Sequence, residues 1–356
     1  MSATLAIPFS VFVSNDEVFI ADMFNHRIRK VLKNGHIVTI AGVGGDGFDG
    51  DGQLATVTKL GFPVGVVVSS SNQVYISEGD HRIRKIDRNG IMSTVAGTGE
   101  QGYNGDDQLA IHAQLNEPRG LFVTEDDEVY FCDRNNHRVR MVDRNGIIRT
   151  IAGNGIEGYN GDDQLATDAN LSFPTGIYVY KNEIYFTDTY THRIRKVLQN
   201  GMIKTIAGTG KYGYNGDDQP AIYSQINHPY GIQVHNDHVY FSDYSNNRVR
   251  KILPNGIIKT IGGTGIGHGN PLEPTLKFPA GIFVYRSEIY IACSNDSRIR
   301  KIDQNGIVTT IVGSGETGFS GDVPFDFEKY PHIGPKKKEL IKPFPQAYYD
   351  LIVINL

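Results

Sequence analysis

The chain is expected to be all-β, a six-bladed propeller of four-stranded antiparallel blades, and three observations predict this. A short segment ending in Arg-Ile/Val-Arg and closed by Asn-Gly recurs six times. Its turn glycines are Gly35, Gly90, Gly146, Gly201, Gly256 and Gly306, at intervals of 55, 56, 55, 55 and 50 residues. A period near 50 made of strands and turns marks a propeller or a solenoid. Within each period lie four short β-branched and aromatic runs bounded by Gly, Asn and Asp, which are strand signals. Finally, Val139 and Val142 lie on opposite faces of their strand and both are apolar. Burial on both faces suits a blade between two neighbours, and radial stacking leaves only short, protected edges. A linear β-solenoid is the alternative.

The repeat from Pro118 to Gly153 shows each element. Gly120-Leu121-Phe122-Val123 is the first strand and Glu125-Asp126-Asp127-Glu128 a polar turn. Val129-Tyr130-Phe131 is the second strand, ending on Cys132-Asp133. Arg138 to Asp143 is the third, and Asn145-Gly146 turns it into Ile147-Ile148-Arg149-Thr150-Ile151-Ala152. Asn-Gly predicts a type I′ turn, which needs φ > 0 at both central positions. Asp106 or Asp107 is expected to cap a short helix through Leu109 and Ala113.

The chain ends predict how the ring closes. Ala3-x-Leu5-x-x-Pro8 repeats Ala113-x-Leu115-x-x-Pro118, and Gly318-Phe319-Ser320-Gly321-Asp322 repeats Gly102-Tyr103-Asn104-Gly105-Asp106. Two halves of one inter-repeat loop should therefore meet between blades six and one. All four strands of every blade are then local, and the closure is weaker than one that shares a blade. Residues 1–322 form the propeller. Residues 323–356 lose the register and make a C-terminal tail that either packs at the closure or begins something further.

Pro-x-Gly, Val-Tyr-Phe-x-Asp, Asn-His-Arg-Ile/Val-Arg, Asn-Gly, Thr-Ile-Ala-Gly and Gly-Tyr-Asn-Gly-Asp-Asp follow one another in this order. Together they resemble the NHL-repeat family of β-propellers over residues 3 to 322. The family's Asn-His-Leu segment stands here as Asn25-His26 and Asn136-His137, with Arg in the third place. The resemblance implies a propeller and, usually, an interaction module. It implies no single activity, because one fold hosts many functions.

Bulk properties exclude little. A net charge of −4 over 356 residues selects no class of partner. No apolar run approaches the ~20 residues of a membrane span. Met1-Ser2-Ala3-Thr4 does not open a secretory signal. Two cysteines, Cys132 and Cys293, make no disulfide framework, which favours a reducing, cytoplasmic compartment. A monomer is expected.

In a four-stranded meander the turns after the first and third strands share one face. The other face carries the second-to-third connections and the long loops between blades. Long loops on a rigid scaffold are where binding is expected. On this face recur Arg27, Arg82, Arg138, Arg193, Arg248 and Arg298, with loop acids such as Asp106-Asp107 and Asp162-Asp163 opposite them. Mutual pairing is the leading reading; a ring of arginines for RNA phosphates is the further one, against which stands the lack of stacking aromatics on the His-Arg segments.

His26, His81, His137 and His192 share one repeat position. Ligands of one metal must converge within about 2.0–2.1 Å of the ion, which separate blades forbid away from the axis. A structural network is expected instead: Asp133, His137 and Thr150 in blade three, and Asp188, His192 and Thr205 in blade four.

The loop from Gly263 to Pro279 advances 16 positions where the other four advance 21, and it carries His268. Cys293 replaces the acid that ends the second strand in the other blades. The candidate ligand site is therefore a notch at His268, Arg248, Arg298 and Cys293. Function is read as a non-enzymatic scaffold binding a protein, peptide or other ligand on the long-loop face. The alternative is a metal-dependent lyase or hydrolase at the channel mouth, although the innermost runs offer one amide, Gln233, and no acid or histidine. No cofactor is predicted. Calcium is left open by the acidic loops, although Asp46, Asp49 and Asp51 depart from the EF-hand register.

Overall fold

A computed structural model describes residues 3–265 and 276–322. It contains six antiparallel sheets in consecutive order along the chain. Blade 3 is representative, with strands Pro118–Val123, Val129–Asp133, Arg138–Val142 and Ile147–Ala152. The four strands of every blade come from one stretch of chain, as the repeat predicts. The tail from residue 323, its packing at the closure, and His268 all lie outside the described residues.

Burial on both faces has a concrete form. Each of six apolar clusters joins two adjacent blades. One holds Cys132 and Val139 of blade 3 with Ile177, Phe186 and Val197 of blade 4. Another joins Val11, Val13 and Ile20 of blade 1 to Ile299 and Val312 of blade 6. A seventh, smaller cluster gathers Tyr230, Tyr244 and Ala280 with Phe9 and Phe278 at one end of the ring's centre. The innermost strands surround a channel of about 190 Å³. They approach closely at their glycines: a Cβ on Gly176 would overlap the carbonyl oxygen of Tyr230 in the next blade.

The turns differ from expectation. Gly146 has φ +78° but Asn145 is not among the positive-φ residues, and the Gly146 N–H bonds to the carbonyl of Asp143. This is a type I turn followed by a left-handed glycine rather than type I′. Both central residues are left-handed instead between the first and second strands, at Asn15-Asp16, Lys181-Asn182, Asn236-Asp237 and Arg286-Ser287. There the loop is two residues long, between Tyr180 and Glu183 for example, and only the primed turns match the strand twist at that length.

The expected capped helix is a single 3₁₀ turn, Ala110–His112, with no side-chain cap. Asp106 does not cap it because it is committed to Arg140. The preceding Gln108–Leu109 pairs with the outermost strand of blade 3, so the inter-blade loop covers that strand's edge.

Closure occurs where the chain ends predicted. The Ser314 N–H bonds to the Ala3 carbonyl, the Gly318 N–H to the Leu5 carbonyl, and Leu5 bridges Thr317 in parallel.

Candidate functional site at the long-loop face

Asp133 and Thr150 are joined through Arg140 and Asp106 rather than through His137. The second strand of blade 3 ends at Asp133, a 3₁₀ turn follows at Arg134–Asn136, and His137 is left-handed at φ 52°. That geometry turns His137 away from its own blade. Its Nδ1 accepts the Phe173 N–H of the next blade at 3.3 Å. His192 accepts the His228 N–H in the same way at 3.2 Å.

The group joining Asp133 to the neighbourhood of Thr150 is Arg140. It lies 3.4 Å from Asp133 Oδ2 and 2.7 Å from Asp106 Oδ1, and Asp106 also accepts the Thr150 hydroxyl at 3.1 Å. Arg195 links Asp188 and Asp162 likewise, with Thr205 donating to Asp162 at 3.0 Å. Arg140 and Asp133 are both fully buried. Burial pushes Asp133 up to about 6 against the opposing hydrogen bond from Asn136 and the charge of Arg140.

The other recurring arginines are also occupied. Arg138 donates to the carbonyls of Asn136 and Asn154 at 3.0 and 2.9 Å, and its guanidinium lies 3.7 Å from the Tyr103 ring centroid. Arg248 donates to Asn246 and Thr264 and lies over Tyr214. Arg298 bonds to Asp296 and the Ser314 carbonyl. These contacts hold loops to blades.

Cys293 is buried in the core between blades 5 and 6, with its thiol pushed up to about 12 by burial. It packs there against Val249, Leu276 and Ile302. The carboxylate missing there is supplied by Asp296, which takes Arg300 at 2.8 Å.

The structure gathers a different set of side chains at the long-loop end of the channel. The residue after each blade's first proline points toward the axis: Phe9, Val64, Arg119, Thr175, Tyr230 and Ala280. Large residues in blades 1, 3 and 5 alternate with smaller ones in blades 2, 4 and 6, so the large ones can meet. The rings of Phe9 and Tyr230 are 5.6 Å apart, and the Arg119 guanidinium is 5.0 Å from the Phe9 centroid. Tyr230 packs on Tyr244 at 4.4 Å.

Beside them, Arg119 and Arg134 share a single oxygen of Glu117, at 3.5 and 3.2 Å. Burial and the neighbouring Arg119 lower the Arg134 pKa. Burial raises the Glu117 carboxyl, but the two arginines outweigh it and hold the group below its ordinary value. Rings continue outward from Arg134. Phe173, Tyr190, His228, His192 and Tyr212 follow one another at centroid spacings of 4.8, 4.9, 4.7 and 6.0 Å. Tyr212 is 74% exposed.

Sequence reasoning passed over these residues because it followed what the repeats share. The signal was where they differ: Pro and Gly stay nearly constant while the residue between them runs from alanine to arginine to tyrosine. Among the described residues, no three His, Cys, Asp or Glu side chains are placed to hold a metal ion.

Comparison with known proteins agrees with this architecture. The profile of the teneurin NHL domain matches residues 98–158. The mouse protein teneurin-4 is 29% identical over 279 residues, 67% of this chain and 10% of its own length. Chicken NHL repeat-containing protein 2 is 26% identical over 288 residues, 71% of this chain and 39% of that protein. The chain thus spans only a small part of the relatives it matches. A streptogramin B lyase structure superposes with a TM-score of 0.53 at 17% identity, covering 87% of this chain and 84% of that one, a likeness of fold alone. Six blades and this repeat make the chain a β-propeller similar to those of the NHL-repeat family.

Proposed function

We propose that the protein is a binding scaffold that engages a protein or peptide through the long-loop face, centred on the channel mouth. The observation that supports this most is the concentration of unlike side chains at one place in an otherwise repetitive ring. Phe9, Arg119, Arg134, Tyr190, Tyr230 and Tyr244 collect at the mouth, whereas the repeat's own arginines are spent on holding loops. Aromatic and arginine groups in a partly desolvated centre are the residue types that dominate binding energy at interfaces. The Asn-Gly turns of the opposite face are compact and bonded within themselves.

Site-specific photo-cross-linking tests the reading. A benzophenone amino acid replaces Tyr212 on the long-loop face or Gln199 on the opposite face. Adducts with other proteins are expected from position 212 and not from 199. Equal or greater yield from 199 would reject the assignment of the face.

A further inference from the structure

The charges at the mouth do not balance. Arg119 and Arg134 are only 15% and 12% exposed, and both are held by one oxygen of Glu117, which is 38% exposed. Two guanidinium groups against one carboxylate leave a single positive charge in a place walled by Phe9, Phe173 and Tyr190. Buried cations gain most from a paired, hydrogen-bonded anion, and guanidinium forks match the planar carboxylate best.

We propose that the mouth binds a peptide carboxylate between Arg119 and Arg134, with the adjoining apolar or aromatic side chain against the rings of Phe9 and Tyr230. This rests on the reading of the long-loop face as the binding face, and it names what that face takes. Charge selects among oxyanions. One carboxylate neutralises the excess positive charge, whereas a phosphate monoester, near −2 at neutral pH, overfills it beside Glu117. The rings flanking the arginines supply the apolar half of the site, since aromatic faces accept both guanidinium groups and apolar side chains.

The test is calorimetric titration of the whole chain with the peptide Gly-Gly-Ala-Phe as free acid, the same peptide as its amide, Gly-Glu-Ala-Phe amide, and phenyl phosphate. At least one of the carboxylate-bearing peptides is expected to bind at least about tenfold more tightly than the neutral amide. The contrast between the free acid and the glutamyl amide distinguishes a chain terminus from an acidic side chain as the source.

R119Q and R134Q are each expected to weaken that binding by about tenfold. E117Q is expected to tighten it, because the internal competitor is gone; a purely structural role for Glu117 predicts no gain. Indifference between acid and amide, preference for phenyl phosphate, or weaker binding by E117Q would each overturn the proposal. Cross-linking at Tyr212 without carboxylate preference leaves the face assignment standing and removes this inference. Carboxylate binding with cross-links mainly at Gln199 does the reverse.

Discussion

Arg29 and Asp322, 293 residues apart in the chain, form the ion pair that joins the last blade's trailing segment to the first blade. Asp322 accepts from Arg29 Nη2 at 2.6 Å and Nε at 3.1 Å, and from the Thr39 hydroxyl at 2.7 Å. Phe319 covers the guanidinium groups of Arg27 and Arg29. The same arrangement holds the four longer inter-blade loops, through Arg84 with Asp51, Arg140 with Asp106, Arg195 with Asp162 and Arg250 with Asp217. At the closure it does the work of covalent continuity.

Removing that pair leaves the buried Arg29 with Asp22 as its one acidic partner among the described residues. Asp322→Ala is expected to lower stability by about 3 kcal/mol, the cost of unpairing a buried charge. Asp162→Ala should cost a similar amount locally. Only Asp322→Ala should speed amide hydrogen exchange in blades 1 and 6 together. Exchange confined to blade 1 would mean that the closure does not depend on this pair.

His192 offers a test by pH. Burial, then the neighbouring His228 and Arg193, push its pKa down to about 4 from the usual 6.5. A base with a depressed folded pKa contributes stability that is present above about 6.5 and lost as pH falls toward 4, because the unfolded chain takes the proton first. Blade 5 carries Asn247 at this repeat position, and its side-chain oxygen accepts the Phe278 N–H at 2.9 Å. His192→Asn should therefore fold normally at pH 7.5 and lose less Tm than the parent between pH 6.5 and 4. An unchanged slope would show that His192 does not carry this dependence.

The aromatic clamps should be individually measurable. Tyr159 lies over Arg193 at 3.7 Å and Arg195 at 4.9 Å and holds the loop before blade 4. Tyr159→Ala is expected to cost about 1–2 kcal/mol and to make proteolysis in residues 153–173 faster. Tyr159→Phe keeps the ring and should restore most of the loss in chemical denaturation.

The close approach of the inner strands predicts intolerance of a single methyl group. Gly176→Ala would drive its Cβ into the Tyr230 carbonyl of the next blade. Backbone on both sides cannot yield as a flexible side chain would, so a loss of about 3 kcal/mol or more is expected. Urea unfolding reads this directly. A variant as stable as the parent would show that the ring can widen.

By itself the sequence determined the six blades, their four strands, and the way the chain ends meet. Those features are local: each blade is one continuous stretch, and the two-faced apolar pattern of Arg138–Val142 is visible without knowing what it packs against. The turn type was misread because the count of residues between strand ends, rather than the Asn-Gly pair, selects it. Tertiary structure alone decided which groups pair and where the unlike residues collect. Arg140 displaced His137 from the expected network because the left-handed backbone at residue 137 sends the imidazole to the next blade. Arg119 meets Phe9 across the small Val64, and Phe9 meets Tyr230 across Ala280 because the ring returns on itself. Such contacts join residues of different blades, and a repeat, which predicts each blade alike, carries no term for them.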